Sequence, residues 1–242
     1  MSKQVELRRS ETSELMQVIK SGALVPKAKP ILQPISLRTR QELRKLVQRL
    51  FLAAYPNGPR VVVFTSVDEG NGCSWTCARI AEVLADTPDW RVCLIDANHK
   101  SPGLSNEFHC ENPHKLSDAE WSLAPIKLTE DAFDSNLWLL AYRPLWDSPS
   151  SVSLEGFQKR LAELHNHFRF VLIDAPPLSS SADAAILGGM TDGAVIVLAA
   201  NDTRREPAKK AKQLLNESGV PLLGAVLNKR VFPVPETLYR RL

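Results

Sequence analysis

From residue 61 onward the chain alternates short, wholly apolar runs with longer amphipathic ones, and this rhythm limits its fold more than any other feature. The runs at 61–65, 92–95, 137–141, 170–173, 194–199 and 222–227 are continuous apolar stretches, as strands buried on both faces require. Between them, helical spacing of apolar residues predicts helices over 74–85, 154–168, 182–190 and 206–218. Strands separated by helices of this length pair in parallel through right-handed crossovers. The expected fold is therefore α/β, a doubly wound and mainly parallel sheet with helices on both faces.

Ahead of this alternation, Leu43, Leu46, Val47, Leu50 and Phe51 recur at helical spacing and predict a helix over 37–54, which Pro56, Asn57, Gly58 and Pro59 end. Residues 1–36 read as a mobile basic arm, because Pro26, Pro30 and Pro34 forbid a long helix and only a weak helical stretch surrounds 12–20. The division is an arm at 1–36, a domain at 37–232 and a tail at 233–242. Residues 1–60 carry twelve basic and four acidic side chains, although the whole chain is only +3. A basic leader on an acidic body suits an anionic surface or an acidic partner, and equally well a solvated arm. No run of about 18 apolar residues is present, and the leader lacks the apolar core of a signal peptide. Four cysteines (Cys73, Cys77, Cys93, Cys110) are too few for a disulfide scaffold, so the expectation is a reduced, cytoplasmic protein.

The first strand leads through Gly70-Asn71-Gly72-Cys73-Ser74-Trp75 into a helix. Two glycines at this spacing let the backbone turn its N–H groups inward, and the helix adds its positive end, which together make an anion nest. A phosphate loop usually closes on Gly-Lys-Ser/Thr, with Lys reaching the β- and γ-phosphates and the hydroxyl binding Mg²⁺. Here Cys73 occupies the Lys position and Ser74 keeps the hydroxyl. Taken alone, the loop reads equally as a nucleotide cradle or a tight turn. Two further strands shift the balance, because each ends in an acid, Asp96 and Asp174, at the edge where open α/β sheets place ligands. Asp174 is placed to hold a Mg²⁺-bound water, and Asn228, closing the last strand, to contact a base.

The order of these motifs resembles the bacterial tyrosine kinases of capsule and exopolysaccharide synthesis, within the MinD/ParA-type P-loop NTPases. Thr65 through Ser74 is similar to their Walker A segment. Leu94-Ile95-Asp96-Ala97-Asn98 and the following basic stretch to Pro102-Gly103-Leu104 are similar to Walker A′, and Ile173-Asp174-Ala175-Pro176-Pro177 to Walker B. Asp192-Gly193, Thr203-Arg204 and 223–228 continue in the family's order.

The resemblance implies ATP or ADP with Mg²⁺ as ligand, held by Gly70, Asn71, Gly72, Cys73, Ser74, Trp75 and Asn228. It implies Ser74 and Asp174 on the metal and Asp96 and Asn98 at the chemistry. It also implies a membrane polysaccharide co-polymerase as partner, so that membrane contact is indirect and the protein peripheral at the inner face of the cell membrane. Four departures matter. Cys73 replaces the Lys. Asn98 replaces an acid and cannot take a proton. Of the ring-assembly motif only Arg44 keeps its register, which leaves homo-oligomerisation open. The tyrosine-rich tail is reduced to Tyr239.

Two functions follow: a nucleotide-binding regulator with reduced or lost catalysis, or an active protein-tyrosine kinase or ATPase with a modified loop. The lost charge clamp favours the first. Cys73 and Cys77, with His109, Cys110 and His114, also raise a metal or redox site, against which buried small residues are the stronger reading. At a helix N-terminus the Cys73 thiol would have a lowered pKa and be reactive, against which a small residue filling the turn is the stronger reading. Lys209, Lys210 and Lys212 fit a solvated helix face, and the pattern gives no nucleic-acid site.

Overall fold

The computed structural model of the chain describes residues 34–98, 103–108, 126–127, 136–141 and 154–230. Seven strands form one sheet: β1 (Val61–Ser66), β2 (Val92–Asp96), β3 (Ile126–Lys127), β4 (Leu137–Ala141), β5 (Phe170–Asp174), β6 (Gly193–Ala199) and β7 (Leu222–Asn228), in the order β3-β4-β2-β5-β1-β6-β7. All neighbours pair in parallel except β3, a two-residue strand antiparallel to β4. The arm at 1–33 and the tail from 231 lie outside the described residues. The expected α/β sheet is therefore present, with β3 as an added edge that no apolar run announced.

The helices divide between the two faces. On one lie α1 (Leu37–Val47), α2 (Cys73–Ala85) and α3 (Gly103–Glu107); on the other lie α4 (Leu154–His167), α5 (Asp183–Gly188) and α6 (Arg205–Glu217). α1 begins where the Ser36 hydroxyl accepts the Thr39 N–H at 3.1 Å, an N-cap of the ordinary kind. It continues as a π-helical turn over Gln48–Leu52. Leu43, Val47 and Phe51, the apolar stripe expected from the sequence, are buried against the sheet side.

Alternate residues of each central strand feed the two cores, Val62 and Phe64 on one face and Val61 and Val63 on the other. Phe170 anchors the first core, with Phe51 and Trp90 edge-on to its ring at 5.4 and 5.3 Å. Two side chains fix how β1 enters the sheet. The Asp192 carboxylate accepts the N–H groups of Arg60 and Val61 at 2.7 and 2.8 Å. The Arg60 guanidinium donates to the carbonyls of Arg169, His165 and Phe168, satisfying the open C-terminal end of α4. The starts of β1 and β5 are thereby tied together, which sets where both strands end on the opposite edge.

Candidate active site

The C-terminal edge of the sheet is where the predicted residues should gather, and the pairing register brings them there. Asp96 and Asp174, the last residues of β2 and β5, stand opposite one another in adjacent strands. β1 runs on β5's other side and leads into the loop. Gly70 and Gly72 both have positive φ, 76° and 82°, a conformation that other residues adopt only with strain. Gly72 is the residue before α2 and carries the left-handed turn that leads the loop into the helix. The Thr76 hydroxyl and N–H both donate to the Gly72 carbonyl, at 2.8 and 3.0 Å, which locks the loop to the first turn of the helix.

Asp174 is fully buried. Neither of its carboxylate oxygens has a hydrogen-bond partner of ordinary geometry, although Ser74 and Cys73 lie close enough to favour its charge. Burial outweighs them and, with the neighbouring Asp96, lifts its pKa from 3.8 to about 7. Ser74 is adjacent: a Cβ built on Gly103 would lie 2.2 Å from the Ser74 Oγ and 3.7 Å from an Asp174 oxygen. Gly103 is thus a site residue whose lack of a side chain lets α3 close over Ser74. The sequence signal for it was its place after Pro102 in the Walker A′-like run. Asn98 is buried, and its side-chain oxygen has no hydrogen-bond partner.

The buried Asp174 carboxylate, the adjoining Ser74 hydroxyl and the buried Asn98 amide oxygen supply acceptor groups at the sheet edge where the glycine loop starts α2. That donor set fits a hard cation and an anionic ligand together. Ser74 and Asp174 would hold the metal, with Asp96 and Asn98 alongside, and the loop amides of 70–74 would hold phosphate oxygens. When bound, the metal supplies the positive charge that spreads over phosphate oxygens. The chain itself would contribute the main-chain N–H groups of the loop and a buried carboxylate.

The side chains of two predicted residues, Asn71 and Trp75, are engaged within the protein. The Asn71 side chain turns into the protein, donating to the Val197 carbonyl and the Thr203 hydroxyl at 3.4 and 3.3 Å. Trp75 is half-buried, and the Arg79 guanidinium lies 5.6 Å from its ring centroid. Arg79 is also buried and ion-paired to Glu82 at 2.9 Å. Glu69 is exposed.

The expected lowering of the Cys73 pKa is overturned. Burial, followed by the repulsion of Asp174, pushes the thiol well above its ordinary value. The helix terminus is outweighed because the sulfur faces the carboxylate inside the crevice. Cys77 is raised for the same reasons, and burial takes Cys93 up to about 12. These three are free, buried thiols, and among the described residues no group of three or more His, Cys, Asp or Glu side chains is placed to hold a metal ion. His109, Cys110, His114, Tyr142 and Tyr239 lie outside them.

Comparison with known proteins places this geometry. No family model matches the chain. It is 31% identical over 198 residues to the tyrosine-protein kinase YwqD of Bacillus subtilis, a match spanning 81% of this chain and 83% of that one. The kinase domain of Escherichia coli tyrosine kinase ETK shares its fold with a TM-score of 0.68 at 20% identity, over 91% of this chain and 90% of that one. The MinC:MinD cell division complex of Aquifex aeolicus gives 0.57 at 22% identity, over 75% and 72%. A phosphate-loop α/β sheet with paired acids at its C-terminal edge, and YwqD matched across most of both chains, lead to one family: this chain belongs to the bacterial tyrosine kinases, built on the MinD/ParA-type P-loop fold.

Proposed function

We propose that this chain is a nucleotide-binding member of the bacterial tyrosine kinases that has lost most or all of its catalysis. On this reading it regulates capsule or exopolysaccharide synthesis through a membrane co-polymerase. The observation that carries the proposal is the pairing of Cys73 with Asp174. In a phosphate loop, a lysine ammonium at this position would lie near buried carboxylates and phosphate oxygens and stabilise charge as it develops in the transition state. The thiol at 73 is buried, neutral and too short to reach phosphate oxygens. What stays supports binding: positive-φ glycines, Ser74, and a buried acid at 174.

The chain's own residues would therefore grip and orient phosphates without supplying the mobile positive charge that phosphoryl transfer uses. Asn98 adds to the deficit, because an amide cannot accept the acceptor hydroxyl's proton. The proposed partner contact runs through the basic N-terminal sixty residues, which would meet an acidic cytoplasmic segment of the co-polymerase.

The test is titration with a fluorescent ATP analogue, with and without Mg²⁺, alongside phosphate release. Micromolar, Mg²⁺-dependent binding with negligible turnover is expected. Cys73→Lys should then raise turnover by about two orders of magnitude or more, the scale on which single transition-state charge donors act. Robust turnover by the native chain would overturn the proposal.

A further inference from the structure

Asn228 closes β7 where a base contact was expected, yet its recorded partner is the phosphate loop. Its Nδ2 donates to the Asn71 carbonyl at 3.0 Å, across 157 residues of sequence. The amide cannot be reversed, since its oxygen would then face a carbonyl oxygen. The same nitrogen lies only 2.3 Å from where a Cβ on Gly72 would stand, so Asn228 is seated directly on the loop's two central residues.

From the other side Asn71 is held as well. Its side chain is 2% exposed and donates to the Thr203 hydroxyl and the Val197 carbonyl. The Thr203 hydroxyl in turn accepts the Ala199 N–H at 2.9 Å. β6 and β7 are themselves joined at this end by the Ala200 N–H on the Asn228 carbonyl at 2.8 Å. Asn71 is thus clamped through its backbone by β7 and through its side chain by β6 and the Thr203 turn.

We propose that Asn228 and Thr203 are positioning residues for the phosphate loop: they hold residues 70–72 in their amide-forward shape and so set affinity for the phosphate chain, independently of any base. The proposal rests on the nucleotide-binding reading given above. A preset nest binds an anion without first losing the freedom of its backbone, which is why bracing it tightens binding. Two glycines at positive φ make this loop costly to order unless something outside it does the holding. The clamp supplies that restraint without touching the ligand.

The experiment compares the full chain with Asn228→Ala and Thr203→Val, measuring Mg²⁺-ATP and Mg²⁺-tripolyphosphate affinity by calorimetry. It also measures backbone hydrogen exchange of residues 68–72 without ligand. Each variant should weaken both ligands in parallel, by about fivefold to tenfold, the scale of one lost hydrogen bond. Loop exchange should quicken by a similar factor while the melting temperature and exchange in β1 stay close to native. Asn228→Ala weakening ATP but not tripolyphosphate would assign Asn228 to the base and overturn the proposal; so would loss of neither. Should the native chain bind neither ligand, the nucleotide reading fails, and loop exchange alone then decides the clamp: unchanged exchange overturns it.

Discussion

The charge on Asp174 has a consequence for stability that can be worked from its surroundings. Its carboxyl is fully buried, and its pKa rises from 3.8 to about 7, chiefly through burial and then through Asp96. A folded-state pKa above the unfolded one means that the native protein binds the proton more tightly. The associated stability is fully present below pH 3.8 and drains away as pH rises through about 7. Each pKa unit is worth about 1.4 kcal/mol, so the full penalty at alkaline pH is roughly 4 kcal/mol. Between pH 5 and pH 8 the part that changes is roughly 2–3 kcal/mol.

Asp174→Asn keeps the shape and removes the titration. Relative to the native chain, the variant should therefore gain about 2–3 kcal/mol in unfolding free energy on going from pH 5 to pH 8. Urea unfolding of both proteins at the two pH values, with metal chelated, measures it. A constant difference between the two proteins across that range would show that Asp174 is compensated in the folded state and would refute the argument. Saturating Mg²⁺ gives an independent arm: it should shrink the pH-dependent gap by stabilising the native carboxylate, and leave the Asn variant unmoved.

Three further outcomes follow from the packing. Iodoacetamide at neutral pH should leave Cys73 unmodified in the folded chain and react with it after denaturation, because the thiol is buried and its pKa raised; mass spectrometry of the 73-containing peptide reads this. Gly103→Ala should weaken Mg²⁺-dependent nucleotide affinity several-fold by displacing Ser74, with a smaller loss of metal-free binding; titration in Mg²⁺ and in chelator separates the two. Phe170→Ala should cost about 3–5 kcal/mol, since it removes the ring on which Phe51 and Trp90 both pack; denaturant unfolding measures it.

The parts of the fold visible in the sequence were those held by local pattern. Apolar runs are read without knowing their neighbours, and β1, β2, β4, β5, β6 and β7 each fell within a residue or so of expectation. What local pattern cannot carry is a partner far along the chain. Asp192 stands out in the sequence only as half of an Asp-Gly pair in the family's order, yet it receives two N–H groups at the start of β1. Arg60 reads as the last charge of a basic leader, yet it closes α4 through three carbonyls more than a hundred residues away. β3 has two residues, too few for any periodicity.

The site divides in the same way. Glycine spacing, Ser74 and the two strand-end acids were legible because chemistry demands those residue types at those places. The failure over Cys73 was physical. Proximity to a helix N-terminus lowers a thiol's pKa only where water or a cation can share the charge. A sulfur buried against Asp174 and Cys77 has neither, and desolvation wins. The same reasoning makes the substitution intelligible: an ammonium at 73 would have neutralised the 174 carboxylate, whereas a thiol leaves that acid to be satisfied by a proton or by a metal. The crevice of this chain should therefore take up a proton near neutral pH when empty and release it when a cation enters. Its phosphate affinity should then depend on metal more steeply than in a relative that keeps the lysine.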